Sequence, residues 1–265
     1  MNELKAAPPT GAPSDSMVQK FNFDRKYQVI IPDKKDWEKG SPIRADSNWY
    51  TDGSKTEHGV GAGIYGGKPR KALSISFSKD TTVFQAEVAA IHHCVREVER
   101  WTEFGKSVAI FSNSQATLKA ISSASVDSKL VWDCVNALNE VGSQRNLILA
   151  WVPSHEGVKG NEAADDLTRQ GSSRQFVGPA PSFGTTQSQI RKSINEWIHS
   201  RSRDWWLKSP GQRQAKEFLK EQKSEFTRDL LDKDRKTVKM LVGLLTGHCR
   251  LNRPCADSAR RRKKP

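Results

Sequence analysis

The 265-residue chain predicts a mixed α/β domain followed by a small, basic helical region. Three observations carry this. The segments "NWYTDGS", "GVGAGIYG" and "KALSISFS" are short strand-forming runs with brief connections, the pattern of an antiparallel meander. "SVAIFSNS" is apolar on both faces, as a central strand is. Helical-period segments separate the later strands, giving a mixed five-stranded sheet in the order βββαβααβα, with flanking helices, over roughly 125 residues. The domain is expected over residues 46–175, after a leader and linker at 1–45 and before a basic helical extension at 176–265.

Each element has its own warrant. The first 45 residues open on Pro, Gly, Ala and Ser and contain one apolar run, "YQVIIP", so a flexible leader and a loosely attached arm are expected. After the meander, "TTVFQAEVAAIHHCVREVERW" begins with threonines that can cap a helix and sets Phe84, Val88, Ile91 and Val95 on one stripe. The fourth strand leads into a short helix at "QATLKAI" and a longer one at "SKLVWDCVNALNEV", then a fifth strand at "NLILAWVPS". A polar loop, "HEGVKG", enters the last helix, "NEAADDLTRQG", with Gly171 as its expected stop. "GPAPSFG" reads as a linker, and "TTQSQIRKSINEWIHSRSRDWWLKS" and "KTVKMLVGLLTGHCRLN" as helices of the extension. Its tryptophans, Trp197, Trp205 and Trp206, are expected as core anchors in preference to base-stacking platforms.

Composition narrows the classes of function. The hydrophobic share is 35%, and no run approaches the roughly 20 apolar residues of a membrane span. The N-terminus lacks the apolar core of a signal peptide, so an intracellular protein, of nucleus or cytoplasm, with no membrane partner is expected. Cys94 and Cys134 fall on apolar helix faces and read as reduced thiols. Cys249 and Cys255 with His248 supply only three ligands of a zinc set, at a spacing that fits no common template. With 43 Lys and Arg against 30 Asp and Glu, the net charge is +13, which favours a polyanionic partner. The excess is concentrated between Arg191 and Lys239 and in the terminal "RRRKKP", outside a nearly balanced core.

Ligands of open sheets collect at the carboxyl ends of the strands. Asp52 closes the first strand of the domain and Asn113 the fourth, and these strands are expected as neighbours. Glu87 lies one turn into the first helix. Asp165 lies early in the last, where the loop after the fifth strand can bring it over the same point. Clustered oxygen ligands repel one another unless cations fill them, and Mg²⁺ or Mn²⁺ is the natural occupant. Two such ions about 4 Å apart hold the attacking water and the leaving oxygen of a phosphodiester in line. The expected chemistry is metal-assisted phosphoryl hydrolysis.

The blocks "YTDGS", "FQAEVAAI", "FSNSQA" and "WVPSHEGVKGNEAADDLTRQG", in this order, resemble the four signature blocks of type 1 ribonuclease H domains, of the kind found in non-LTR retrotransposon polyproteins. "IPDKKDWEKGSPI" and "LVGLLTGHCRLN" resemble the flanking segments of such elements, which suggests derivation from a reverse-transcriptase polyprotein, although no reverse transcriptase is present in this sequence. The resemblance implies a ribonuclease H-like fold and cleavage of the RNA strand of RNA/DNA hybrids, with two Mg²⁺ or Mn²⁺ as cofactors. It implies Asp52, Glu87, Asn113 and Asp165 as metal and catalytic positions and His155 as a mobile proton-handling residue. Gly53, Ser54, Ser114 and Gln115 match positions that approach the nucleic-acid backbone. Asn113 stands where the family carries its fourth carboxylate, so a neutral amide replaces an anion.

Taken singly these residues have plainer readings. Asp52 before Gly53 suits a turn, Glu87 suits a helix surface, the Asp165–Asp166 pair favours a helix start, and His155 is an ordinary loop residue. Only their joint order raises the ligand reading. Two functions follow: a hybrid-specific endoribonuclease, impaired or not by Asn113, or a descendant that binds hybrids without cutting. A transposase or integrase fits poorly, because the "QAE" helix and the "SHEGVKGNEAAD" block are ribonuclease H features.

Overall fold

The computed structural model describes residues 13–67, 70–100, 107–180, 182–219 and 224–248. Cys249, Cys255, the terminal "RRRKKP" and the first twelve residues of the leader lie outside the described residues. Described residues up to Ile190 form one unit, and those from Arg191 onward a second.

The first unit runs β1 (Ser16–Phe21), β2 (Gln28–Ile30), a 3-10 helix (Lys34–Lys39), β3 (Ser47–Lys55), β4 (Val60–Gly67), β5 (Arg70–Phe77), α1 (Val83–Arg100), β6 (Ser107–Ser112), α2 (Gln115–Ser122), β7 (Ser125–Ser128), α3 (Lys129–Gly142), β8 (Asn146–Trp151) and α4 (Lys159–Ser173), ending within α5 (Gln187–Lys208). The main sheet has the order β2-β8-β6-β3-β4-β5. β4 is antiparallel to β3 and β5, as the meander predicts, whereas β3, β6, β8 and β2 are parallel.

The sheet therefore has six strands where the sequence predicts five. The additional strand is β2, drawn from the run "YQVIIP" that reads as part of a loose arm; Gln28, Val29 and Ile30 pair with Ile148, Leu149 and Ala150 of β8. Three residues are too few to show strand periodicity, yet they cover the open backbone groups of an edge. The arm is held again at β1, which pairs with β7 in a separate two-stranded sheet. Just before it, Asp15 accepts from the Leu130 amide at 3.0 Å and the Ser128 hydroxyl at 2.6 Å, capping α3 from a distant part of the chain.

Thr82 and Gln85 open α1 as a reciprocal cap: the Gln85 amide donates to Thr82 Oγ1 at 3.1 Å and the Thr82 amide to Gln85 Oε1 at 3.0 Å. Of the predicted stripe, Val88, Ile91 and Val95 are fully buried, in one core with Trp49, Ile64, Ile110, Leu118, Leu138 and Leu149, and Phe84 is half-buried against it. α4 covers the opposite face. A Cβ at Gly63 would collide with the Ala164 carbonyl, so the glycine lets the helix lie directly on β4. Gly171 does not stop α4, which continues to Ser173 because its last turn stays packed, with Gly171 and Ser172 buried. On the α4 side of the sheet, Trp37 of the 3-10 helix meets Phe111 edge-on at 5.7 Å.

The "GPAPSFG" segment is bound to this unit. The Ser182 amide donates to Ser78 Oγ at 2.9 Å, the Phe183 ring lies 5.1 Å from that of Phe77, and Gln85 Nε2 donates to the Gly184 carbonyl at 2.8 Å.

The second unit contains the remainder of α5, α6 (Arg213–Phe218), α7 (Ser224–Leu231) and α8 (Arg235–Thr246). Trp206 is buried and donates its indole N–H to the Leu219 carbonyl at 2.7 Å. Gln214 of α6 donates to the Leu244 carbonyl of α8 at 2.9 Å. No helix among the described residues is long and apolar enough to cross a membrane. Cys94 and Cys134 are buried free thiols, as predicted.

Candidate active site

β3 and β6 are parallel neighbours with Thr51 opposite Ser112. The next residue of each chain segment, Asp52 and Asn113, therefore emerges at the same end of the sheet centre. Asn113 Nδ2 donates to Asp52 Oδ1 at 2.8 Å. Two further elements hold this pair. The Trp151 indole N–H, at the end of β8, donates to the Asn113 carbonyl at 3.1 Å, and Thr168 Oγ1 of α4 lies 3.0 Å from the Asp52 carbonyl.

Glu87 reaches the pair because Gly53 has no side chain. A Cβ there would sit 2.5 Å from the Glu87 amide nitrogen and 2.6 Å from the Ala86 carbonyl carbon, so any larger residue would push α1 away from β3. Asp52 and Glu87 are each only 5% exposed. Glu87 Oε2 is buried with no hydrogen-bond partner among the described residues. Asp165 enters from α4, half-buried, and is ion-paired with Arg169 one turn later, whose guanidinium also reaches Asp166 at 3.2 Å.

The electrostatics show a cluster short of positive charge. Burial raises the Asp52 carboxyl above the usual range and Asp165 adds to this, whereas the Asn113 amide, the Thr168 hydroxyl and the Gly53 amide oppose it. Burial pushes Glu87 well above its ordinary value; the Asp52 carboxylate pushes the same way, and the Gly53 amide opposes both. Two buried acids that resist ionisation side by side, one with an orphaned oxygen, suit a hard divalent cation that would displace their protons. No group of three or more His, Cys, Asp or Glu side chains is gathered for a metal among the described residues; Asp165 is ion-paired with Arg169, and Asn113 presents an amide to Asp52.

The other predicted site residues lie around this centre. The Ser114 hydroxyl caps α2, accepting from the Thr117 amide at 3.4 Å, and Gln115 is exposed in the first turn of that helix. Ser54 is half-buried, and its hydroxyl has no partner among the described residues. His155 is exposed in the left-handed backbone region, φ 57°, with no hydrogen bond or ion pair to the cluster among the described residues. An ion pair of 2.6 Å between Lys34 and Glu156 ties its loop to the 3-10 helix.

Three supporting residues escape sequence reasoning. Trp151 reads as a strand-end apolar residue, and Thr168 as one more polar residue of α4. Arg169 alone has a sequence signal, its i,i+4 spacing from Asp165.

Residues 44–173 match the model of the RNase H family. The match begins just before β3 and ends with α4, so it contains Asp52, Glu87, Asn113, His155 and Asp165. The mixed sheet with its helices is consistent with the RNase H-like fold.

Proposed function

We propose that residues 46–175 form a divalent-metal-dependent endoribonuclease domain that cuts the RNA strand of RNA/DNA hybrids, with its rate limited by Asn113. The observation that supports this most is the buried Asp52–Glu87 pair, with its orphaned Glu87 oxygen, at the carboxyl end of the central strands. Asp52 and Glu87 would hold the cation, Asp165 would join after leaving Arg169, and Asn113 would offer its amide oxygen once its side chain turns over. When bound, the metal polarises the scissile phosphate and lowers the pKa of the attacking water.

The remaining roles belong to the chain's own groups. Ser114 and Gln115, beside Asn113 at the start of α2, suit the approach of a sugar–phosphate backbone, where shape and 2′-hydroxyls are read in place of base sequence; Gly53 and Ser54 follow Asp52 in β3, where the space at Gly53 is taken by α1 and the Ser54 hydroxyl is buried. His155, free to turn on its exposed loop, would carry a proton to or from the reacting oxygens. A four-carboxylate site would hold two Mg²⁺ or Mn²⁺ ions, and a neutral amide at Asn113 would weaken their binding. A retrotransposon origin, and action in nucleus or cytoplasm where hybrids arise, accord with this reading.

A second reading has an observation of its own. The Asn113–Asp52 hydrogen bond and the Asp165–Arg169 ion pair satisfy two of the four ligands with protein donors, as in a domain that binds hybrids without cutting. Cleavage of an end-labelled RNA/DNA hybrid in Mg²⁺ and in Mn²⁺ separates the two, comparing the chain with Asn113→Asp and Asp52→Asn. Cutting by the chain that Asp52→Asn abolishes supports the nuclease. Cutting only by Asn113→Asp supports the binder, and cutting that survives Asp52→Asn overturns the assignment of the site.

A further inference from the structure

The two adjacent tryptophans of α5 have opposite fates. Trp206 is buried and anchors the helix. Trp205 is 61% exposed. Moving back along the helix from Lys208, steps of three, four and four residues reach Trp205, Arg201 and Trp197, so these four side chains share one face. Arg201 lies over the Trp197 ring, 5.7 Å from its centroid, and the exposed Ile194 and Ile198 flank the row. α5 residues from 191 onward carry five Lys and Arg against two acids, one of which, Glu196, lies 3.9 Å from Lys192. Residues 1–190 hold basic and acidic side chains in nearly equal number, so almost all of the net charge of +13 resides from Arg191 onward.

We infer that this face of α5 is a binding site for single-stranded nucleic acid, with an unpaired base stacking on Trp205 and phosphates meeting Lys208 and Arg201, which lies over Trp197. Each element of the row has its counterpart in such a strand. An exposed indole offers a π-face to any base, a guanidinium over a second indole holds its charge on the same face, and a lysine one turn on meets the next phosphate. Charge complementarity selects a polyanion. The order of residues selects a strand over an anionic membrane surface, because helices lying on membranes segregate their cations from the apolar stripe, whereas Arg201 and Lys208 stand within this one. The site does not depend on cleavage at Asp52 and Glu87. It also separates affinity from chemistry: the nearly neutral first unit carries the candidate active site, and the second unit supplies the hold on the strand.

The test is fluorescence anisotropy of the full chain with a fluorescein-labelled oligo(dT) of about 20 nucleotides, long enough for one site, at several salt concentrations. Trp205→Ala is expected to weaken binding roughly 5- to 100-fold, as the loss of one stacked base does. Trp205→Phe keeps a ring face and is expected to retain most of the affinity. Arg201→Gln is expected to lower the salt slope by about 0.7. Trp205 is exposed, so its replacement should leave the unfolding midpoint unchanged. Unaltered affinity and slope overturn the proposal, as does equal loss in Trp205→Phe and Trp205→Ala. Sedimentation with phosphatidylserine vesicles that Trp205→Ala abolishes, while oligo(dT) binding stays intact, would also overturn it in favour of a membrane surface.

Discussion

The side-chain amide of Asn113 donates to Asp52 Oδ1 at 2.8 Å. A carboxylate at this position could not donate while ionised, and would add its charge to a buried pair that already resists ionisation. The amide is thus a neutral clasp on Asp52 that adds no charge to the buried pair.

Replacing the clasp with a carboxylate adds that charge. In chelator, Asn113→Asp is expected to lose about 1–3 kcal/mol of stability, from a lost hydrogen bond and an added like charge. In millimolar Mg²⁺ or Mn²⁺ it should recover more than the unsubstituted chain does. Thermal unfolding with and without the metal measures both, and equal metal-dependent gains in the two proteins would refute the placement of Asn113 at a cation site.

The raised Glu87 carboxyl makes a pH prediction whose sign differs from that of a salt-bridged acid. Folding favours the protonated form, so the folded chain binds more protons between the ordinary value of 4.5 and the raised one. Stability from this group is greatest below 4.5 and falls as pH rises toward the raised value. Glu87→Gln removes that fall. In chelator, the variant should gain on the unsubstituted chain as pH increases from 4 to 8, as read by denaturant unfolding; a difference that stays constant with pH would count against burial as the cause.

Gly53 borders the cluster and is also a packing residue. Gly53→Ala places a methyl against the backbone of Ala86 and Glu87, and neither can move without shifting α1. A loss of roughly 1–3 kcal/mol is expected, together with weaker metal stabilisation, because Glu87 is displaced. Unchanged stability would mean that α1 sits farther from β3.

On the proposed reading, Arg169 competes with the cation for Asp165. Arg169→Ala leaves that carboxylate without its partner, and since Arg169 is mostly exposed, little stability should be lost. The Mn²⁺ concentration needed for half-maximal thermal stabilisation should fall several-fold, and Asp165→Asn should cancel the effect. A midpoint that Arg169→Ala leaves in place would remove Asp165 from the ligand set.

The sequence by itself determined the strands of the meander, the burial of β6, the stripe of α1 and the positions of Asp52, Glu87, Asn113 and Asp165, because alternation, helical period and strand ends are set by neighbours along the chain. Only the tertiary structure decided which donors gather around Asp52 and Asn113. The Asn113 amide reaches the Asp52 carboxylate, the Trp151 indole the Asn113 carbonyl and Thr168 the Asp52 carbonyl, all from elements far apart in sequence, whereas Arg169 meets Asp165 one turn along the same helix. The same holds at the edges. β2 and β1 exist because an open strand of β8 and of β7 accepts their backbone, and Trp205 differs from Trp206 because only one of two adjacent side chains can face the packed side of a helix. Local periods are written in residue type, but partners across the fold are chosen by approach, charge and the space that glycines such as Gly53 and Gly63 leave open.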